Sequence, residues 1–377
     1  MVVPRDVVAP ILLSLFCGCG TGSNVLLGDL PENDAALGQE DAAPDGAGMD
    51  SRPLFDATFE ATTDGRGCTS GEPVPAPLRA FLAEAMGFGR AATGGLSGCL
   101  YHVTTLAESG PGSLREGVDG TEPRWIVFDV TGSIELTSAI SIGSNKTIDG
   151  RGNAITVRNL GLNLGAGVSN VVIENLTFVG NSQGSNNDGI QIADGANTIW
   201  IDHCSLSSYG DGLIDITHAA TDVTVSWCVF SKHEYVMLIG GNATDIEDVN
   251  IRVTMHHNWW NQTVAYAPRL RFGKAHVLNN FIDRWVTAAS ASTMYGEILS
   301  EYNVFAAGVD KVALATKAGN DDKPGRAKTL GDLLRNNAST ETFEPDLVFQ
   351  PPYPYTPVRA DDDLQNAIMD GAGALPH

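Results

Sequence analysis

The chain has 377 residues, 42 of them glycine, with 7% aromatic residues and a formal net charge of −22. That length holds two average domains, or one large all-β domain with a leader and a tail. The composition excludes a chain that is disordered throughout or crosses a membrane repeatedly, and the acidic balance argues against nucleic acid as a partner.

Residues 1–19 read as an export signal. Arg5 precedes the apolar run from Val7 to Phe16, which is too short to span a bilayer as a helix. Phe16-Cys17-Gly18-Cys19 resembles a bacterial lipobox with Cys19 as the lipidated residue, although Phe16 stands where Leu is usual. The alternative is an ordinary signal peptide cleaved nearby. Either route leads to a secreted protein or an outer-surface lipoprotein, with a possible lipid anchor but no transmembrane helix.

Residues 20–75 read as a linker. Eleven acids face only Arg52 and Arg66 across this Gly/Ala/Pro-rich stretch. So few large apolar groups cannot offset the chain entropy of folding. The folded domain is expected over 76–377. It opens with Ala76–Met86, an amphipathic helix suited to capping the first turn of a solenoid. Cys68 and Cys99 flank this start and are placed to pair in an oxidising compartment.

From residue 100 onward, short runs rich in Val, Ile and Thr alternate with Gly, Asn and Asp. Six segments repeat with third residues Asn175, Cys204, Cys228, Asn258, Asn280 and Asn303, at intervals of 29, 24, 30, 22 and 23 residues. Three residues before each anchor, and two after it, five of six positions are apolar. That is the mark of coils that stack the same inward sites. No helix alternates with these strands, which excludes a doubly wound or barrel α/β architecture. The fold class is therefore all-β, a single-stranded parallel β-helix with a short N-terminal capping helix. The anchors predict a ladder of stacked Asn amides. Cys204 and Cys228 fall on two of its steps as buried thiols, with a disulfide between coils as the demanding alternative. Helical patterns at Lys328–Leu334 and Asp363–Met369 predict a tail packed over the coils.

Several motifs resemble the family 1 polysaccharide lyases, the group of pectate lyases, pectin lyases and pollen allergens. They occur in the family's order: Gly87–Gly95, Gly112–Glu116, Asn187–Ile190, Ile199–Cys204, Asp211–Asp215, His233–Gly240 and Ala267–Gly273. The resemblance covers roughly 80–310 and implies that the β-helix is right-handed. It also implies a monomer acting on an acidic plant-cell-wall polysaccharide, pectate or pectin, by β-elimination with Ca2+. In that family, matching aspartates hold the ion, a role that falls here on Asp188, Asp211 and Asp215.

The residues themselves support this assignment. Asp188 and Asp211 lie 16 and 17 residues before the next anchor, so they are expected to meet across coils, with Asp215 on the strand of Asp211. Clustered carboxylates repel unless a cation or protons intervene, and an open oxygen-rich cluster suits Ca2+. Arg271 matches the arginine that binds the substrate carboxylate. Arg269 is a second candidate for that job or a support for the cleft wall, and Lys274 is expected nearby. Asp202, His203, His256 and His257 precede anchors on the side away from this cleft and read as structural.

Two positions depart from the family. Tyr266 stands where the resemblance places the arginine that acts as base, and Tyr235 replaces a lysine. Both changes remove positive charge. Tyr266 then becomes the candidate base, beside Tyr235 and Arg269 as substrate contacts. The alternatives are a lyase for another uronate-containing glycan, or a non-catalytic acidic-polysaccharide-binding β-helix.

Overall fold

The computed structural model describes Cys68–Thr69, 74–184 and 187–375. The leader at 1–19 and almost all of the linker lie outside the described residues. The rest forms a right-handed parallel β-helix whose three sheets contain eleven, nine and nine strands. One coil is Asn197–Asp202, Ser205–Ser207 and Gly212–Ile216; the next is Thr221–Ser226, Val229–Ser231 and Tyr235–Ile239. Each coil gives one strand to each sheet, so equivalent residues stack along the axis. In the first sheet Ile199 lies between Val171 and Val223, and Ile201 between Ile173 and Val225.

This register corrects the expected one at its first step. Glu174, not Ile173, lies opposite Asp202, so Leu176 rather than Asn175 shares the step of Cys204. Asn175 is instead the residue at the corner between the first and second sheets. Its equivalents are His203, Trp227, His257, Asn279 and Tyr302, all left-handed with φ between 46° and 57°. Asparagine tolerates that conformation well, and it also suits a ladder, which is why the two roles are easily exchanged. With the shift, one inward column becomes apolar throughout: Phe178, Leu206, Phe230, Trp260, Ile282 and Phe305.

The ladder forms from Cys228 onward. The backbone N–H of Cys228 donates to Asn258 Oδ1 at 2.9 Å, that of Asn258 to Asn280 Oδ1 at 2.9 Å, and that of Asn280 to Asn303 Oδ1 at 2.8 Å. Asp332, which the repeat did not include, closes it by accepting from the Asn303 N–H at 2.7 Å. Cys204 and Cys228 are buried free thiols, as the ladder reading expects. Cys99 is disulfide-bonded. The strand Cys68–Thr69 runs antiparallel beside it, but the side chain of Cys68 lies outside the described residues.

The N-terminal helix is brief, Ala76–Arg79, and continues as a 3-10 turn over Ala80–Glu84. It lies across the outer face of the first sheet, where Phe81 packs on Trp125 and Trp200. A second helix, Leu114–Val118, follows the first parallel strand, Cys99–Val103, and buries Leu114 and Val118 in the core at that end of the stack. Its Ser113 cap accepts from the Glu116 N–H, while Glu116 reaches back to the Gly112 N–H.

The stretch expected as a helix at Lys328–Leu334 is two strands, Arg326–Leu330 and Leu333–Arg335. Its leucines have helical spacing, but Gly331 at φ 69° and Asp332 turn the chain between them. The final helix, Asp362–Gly371, buries Leu364 and Ile368 beside Phe281 and Val304. Among the described residues no helix is long and apolar enough to cross a membrane.

The ladder amides are fully buried, so replacing one strands its neighbours' polar groups. Asn258→Leu or Asn280→Leu should each cost about 1–3 kcal/mol in urea-induced unfolding. Midpoints equal to wild type in both variants would refute the stacked-amide arrangement.

Candidate active site on the third sheet

The third sheet carries the strands Ile190–Ile192, Gly212–Ile216, Tyr235–Ile239, Arg269–Arg271 and Ser290–Thr293 on consecutive coils. Side chains alternate between its faces. Ile190, Ile214, Ile216, Met237, Ile239 and Leu270 point into the core, which leaves the intervening residues on the outer surface. Along that surface Asp215 lies between Gln191 and Leu238, and Leu238 lies beside Arg269. Acid and base are thus two strand spacings apart, about 10 Å along the sheet.

The three aspartates gather at the acidic end. Gly212 N–H donates to Asp188 Oδ1 at 2.7 Å. A Cβ on Gly212 would stand 2.2 Å from Asp215 Oδ1 and 3.1 Å from Asp188 Oδ1. A side chain at this position would push both carboxylates aside, so the glycine leaves room for them to converge over this strand. Asp188 faces Gly212 rather than Asp211, one residue from the expected register. Burial, with repulsion from Asp211, pushes the Asp188 carboxyl up to about 6 against its Gly212 hydrogen bond. Burial also raises Asp211. At Asp215 burial and then the charges of Asp188 and Asp211 push the carboxyl well above the usual range. Carboxylates that repel one another around a glycine gap are the oxygen donors a hard divalent cation takes. The donor set fits Ca2+.

A tighter trio lies elsewhere. Among the described residues, only Glu174, Asp202 and His203 bring one donor atom each within 4.8 Å of the others. They stand where the first sheet ends. There Asp202 Oδ2 is 2.7 Å from His203 Nδ1, and His203 stacks on Trp227. Burial and then the charges of Asp202 and Asp149 push Glu174 well above the usual range. His256 meets His257 at 3.1 Å in the same region, so Asp202, His203, His256 and His257 lie away from the third sheet as expected.

At the basic end Tyr235 and Tyr266 pack with ring centroids 4.9 Å apart. The Tyr266 hydroxyl accepts from Arg269 Nη1 at 2.6 Å. Arg269 is buried, and its Nη2 donates to Ala318 O and Asp321. The structure thus sets it in the cleft wall, holding Tyr266. Arg271 places Nε on Asp321 and Nη1 on the carbonyls of Gly240 and Gly241. Lys274 does not belong here. It begins a strand of the first sheet, between Arg252 and Glu297, because the chain turns away after Arg271. Asp321, which joins the two arginines, went unseen in the sequence: it lies 50 residues beyond Arg271, in a loop without a motif.

Comparison with known proteins gives one answer. A family model described as pectate lyase matches residues 129–347. Pectate lyase 1 of Ambrosia artemisiifolia is 36% identical over 289 residues, covering 69% of this chain and 72% of that protein. The crystal structure of Jun a 1, the major cedar pollen allergen, superposes with a TM-score of 0.70 at 28% identity, covering 78% of this chain and 93% of that one. A pectate lyase from Bacillus sp. N165, solved with trigalacturonate, has the same fold with a TM-score of 0.64 at 20% identity, over 76% of this chain and 98% of that one.

The raised carboxyls carry a stability signature. An unfolded Asp loses its proton near ~4, whereas folded Asp188 keeps it to about 6. The folded state therefore binds more protons in this window, and stability falls as pH rises through it. In chelator, Asp188→Asn should flatten the decline of melting temperature between roughly pH 4 and 7. Parallel wild-type and variant curves would contradict the clustered geometry.

Proposed function

The chain belongs to the pectate lyase family, and on that premise we propose that it cleaves polygalacturonate by calcium-dependent β-elimination along the third sheet. The observation that carries this reading is the shared face of that sheet. Asp188, Asp211 and Asp215 gather at one side of it, and Tyr266 and Arg271 stand two strands away. A bound Ca2+ would neutralise the substrate carboxylate and favour the charge that builds on it when carbon 5 loses its proton.

The rest falls to the chain. Arg271 orients a uronate carboxylate and opposes its developing negative charge. The Tyr266 oxygen, ionised to the phenolate by alkaline solvent, takes the carbon 5 proton. The electrons of that bond form the carbon 4–carbon 5 double bond, and the glycosidic oxygen leaves carbon 4 as a new chain end that takes up a proton. Tyr266 occupies the position where relatives are expected to carry an arginine base, and Arg269 holds its hydroxyl. A phenol is a poor base at neutral pH, so this reading predicts an alkaline optimum.

The two tyrosines also favour a second reading. By removing positive charge from the cleft they fit a different uronan, cleaved or only bound. An export signal at 1–19, either a lipobox ending in Cys19 or an ordinary cleaved signal peptide, suits a polymer substrate met outside the cytoplasm.

Release of unsaturated product, followed by ultraviolet absorbance on polygalacturonate, methylated pectin and other uronans, tests the reading. Activity should require calcium and disappear with chelator. Asp211→Ala or Asp215→Ala should weaken the response of activity to calcium, and an unaltered calcium response in both would remove the assigned site. Tyr266→Phe should lower turnover at least ~100-fold, the scale of general-base loss, with little change in substrate affinity. Full activity in Tyr266→Phe would place the base elsewhere, and a wild type inert on every uronan would favour binding alone.

A further inference from the structure

Asp321 lies between the strands Val312–Ala315 and Arg326–Leu330, outside every motif that marks the family. Its side chain is only 6% exposed, yet it faces two guanidinium groups. Oδ2 accepts from Arg269 Nη2 at 2.8 Å and from Thr293 Oγ1 at 2.6 Å. Arg271 Nε reaches both carboxylate oxygens, at 2.9 and 3.1 Å. Burial works against the charged carboxylate, but the hydrogen bonds from Thr293 and Arg269 and the arginine charges hold Asp321 below the usual range.

The loop around it is shaped to the same contact. Gly319 is left-handed at φ 56°, and a Cβ there would stand 3.0 Å from Arg269 Nη2. Ala318 O accepts from that same nitrogen at 3.2 Å. Two neighbouring guanidinium groups with side chains 8% and 14% exposed repel each other strongly without an anion between them. Asp321 supplies that anion, and its contacts are selective. On Arg271 they take Nε, and Gly240 and Gly241 take Nη1, so Nη2 has no protein partner among the described residues. On Arg269 they take Nη2, which leaves Nη1 on the Tyr266 hydroxyl.

We propose that Asp321 is a positioning residue for the elimination, resting on the lyase reading above. It holds Arg269 against the Tyr266 hydroxyl and turns Arg271 so that one nitrogen remains for the uronate carboxylate. It touches neither substrate nor proton and acts through the two arginines. Misplacing such groups by about 1 Å is enough to cost on the order of 100-fold in rate.

Asp321→Asn keeps the size of the side chain and removes the charge. With an active wild type, the variant should lose at least ~10-fold in kcat and raise KM on polygalacturonate. A merely structural role would lower stability and leave kcat of the folded fraction intact. The decisive comparison is Tyr266→Phe with and without Asp321→Asn. Because the charge acts partly through Tyr266, its removal should cost much less kcat in the Tyr266→Phe background. Unchanged kcat and KM in Asp321→Asn, or fully additive losses, would overturn the proposal. If Asp321→Asn fails to fold, Thr293→Val frees the same carboxylate from its other side and should lower kcat in the same direction; no loss there would count against it. An inert wild type would defeat the lyase reading alone. Asp321 is then judged by polygalacturonate affinity, where a ~10-fold weakening in Asp321→Asn supports the positioning role and equal affinity overturns it.

Discussion

Parallel strands exchange hydrogen bonds at one fixed spacing, ~4.8 Å, so each coil must retrace the path of the coil before it. Corners are where that repetition is hardest to keep. From Asn175 to Tyr302 the first corner of each coil uses one left-handed residue, and the position just after it turns inward. From Cys228 to Asn303 that inward position passes a backbone hydrogen bond to the next coil's side chain, ending on Asp332. An amide there satisfies its neighbour's N–H and donates from its own Nδ2. A buried polar column is tolerable only because each member is satisfied. Where Cys204, Cys228 and Leu176 take over, the donor bonds weaken to a sulfur contact at 3.4 Å and then end.

The same repetition builds the candidate site. A position displaced by one coil is displaced by one strand, so chain segments far apart in sequence become lateral neighbours. Asp188 reaches Gly212 across a gap of 24 residues, and Tyr235 meets Tyr266 across 31. The register also keeps opposite charges from collapsing together. Leu238 lies between Asp215 and Arg269 on the outer face, so acid and guanidinium do not pair. The aspartates stay mutually repelling and the arginines must find their anion elsewhere, at Asp321. A site whose charges are held apart by backbone spacing is already arranged for a ligand that bridges them, which is the preorganisation that electrostatic catalysis requires.

Much of this was legible in the sequence, for a physical reason. Inward residues must be apolar and recur once per coil, so the columns from Ile201 to Phe305 identified the solenoid without any knowledge of its contacts. The acidic cluster was legible by the same counting, although Asp188 proved to be one residue out of register with Asp211. Counting failed where one residue type serves two jobs, as at Asn175, and where helical leucine spacing concealed a Gly331-Asp332 turn. It failed for Lys274 because nearness along the chain says nothing about which sheet a residue joins. Asp321 was beyond it altogether. Its loop follows no period, and only folded geometry brings it to Arg269 and Arg271.

Asp321 changes the electrostatic reading of the cleft. Tyr235 and Tyr266 bring no positive charge to the cleft, and Asp321 offsets part of the charge of Arg269 and Arg271. The groove is therefore less positive than a count of its basic residues implies. A uronate polymer cannot be drawn in by a broad positive field in a chain of net charge −22. In the proposed reading, recognition comes instead from short-range contacts: a cation held by Asp188, Asp211 and Asp215, a single oriented nitrogen on Arg271, and the tilted ring pair of Tyr235 and Tyr266. Such contacts act only on a sugar already in place. In the proposed reaction the cation then becomes the main positive charge that the substrate meets, so affinity and turnover depend together on the aspartates that would hold it.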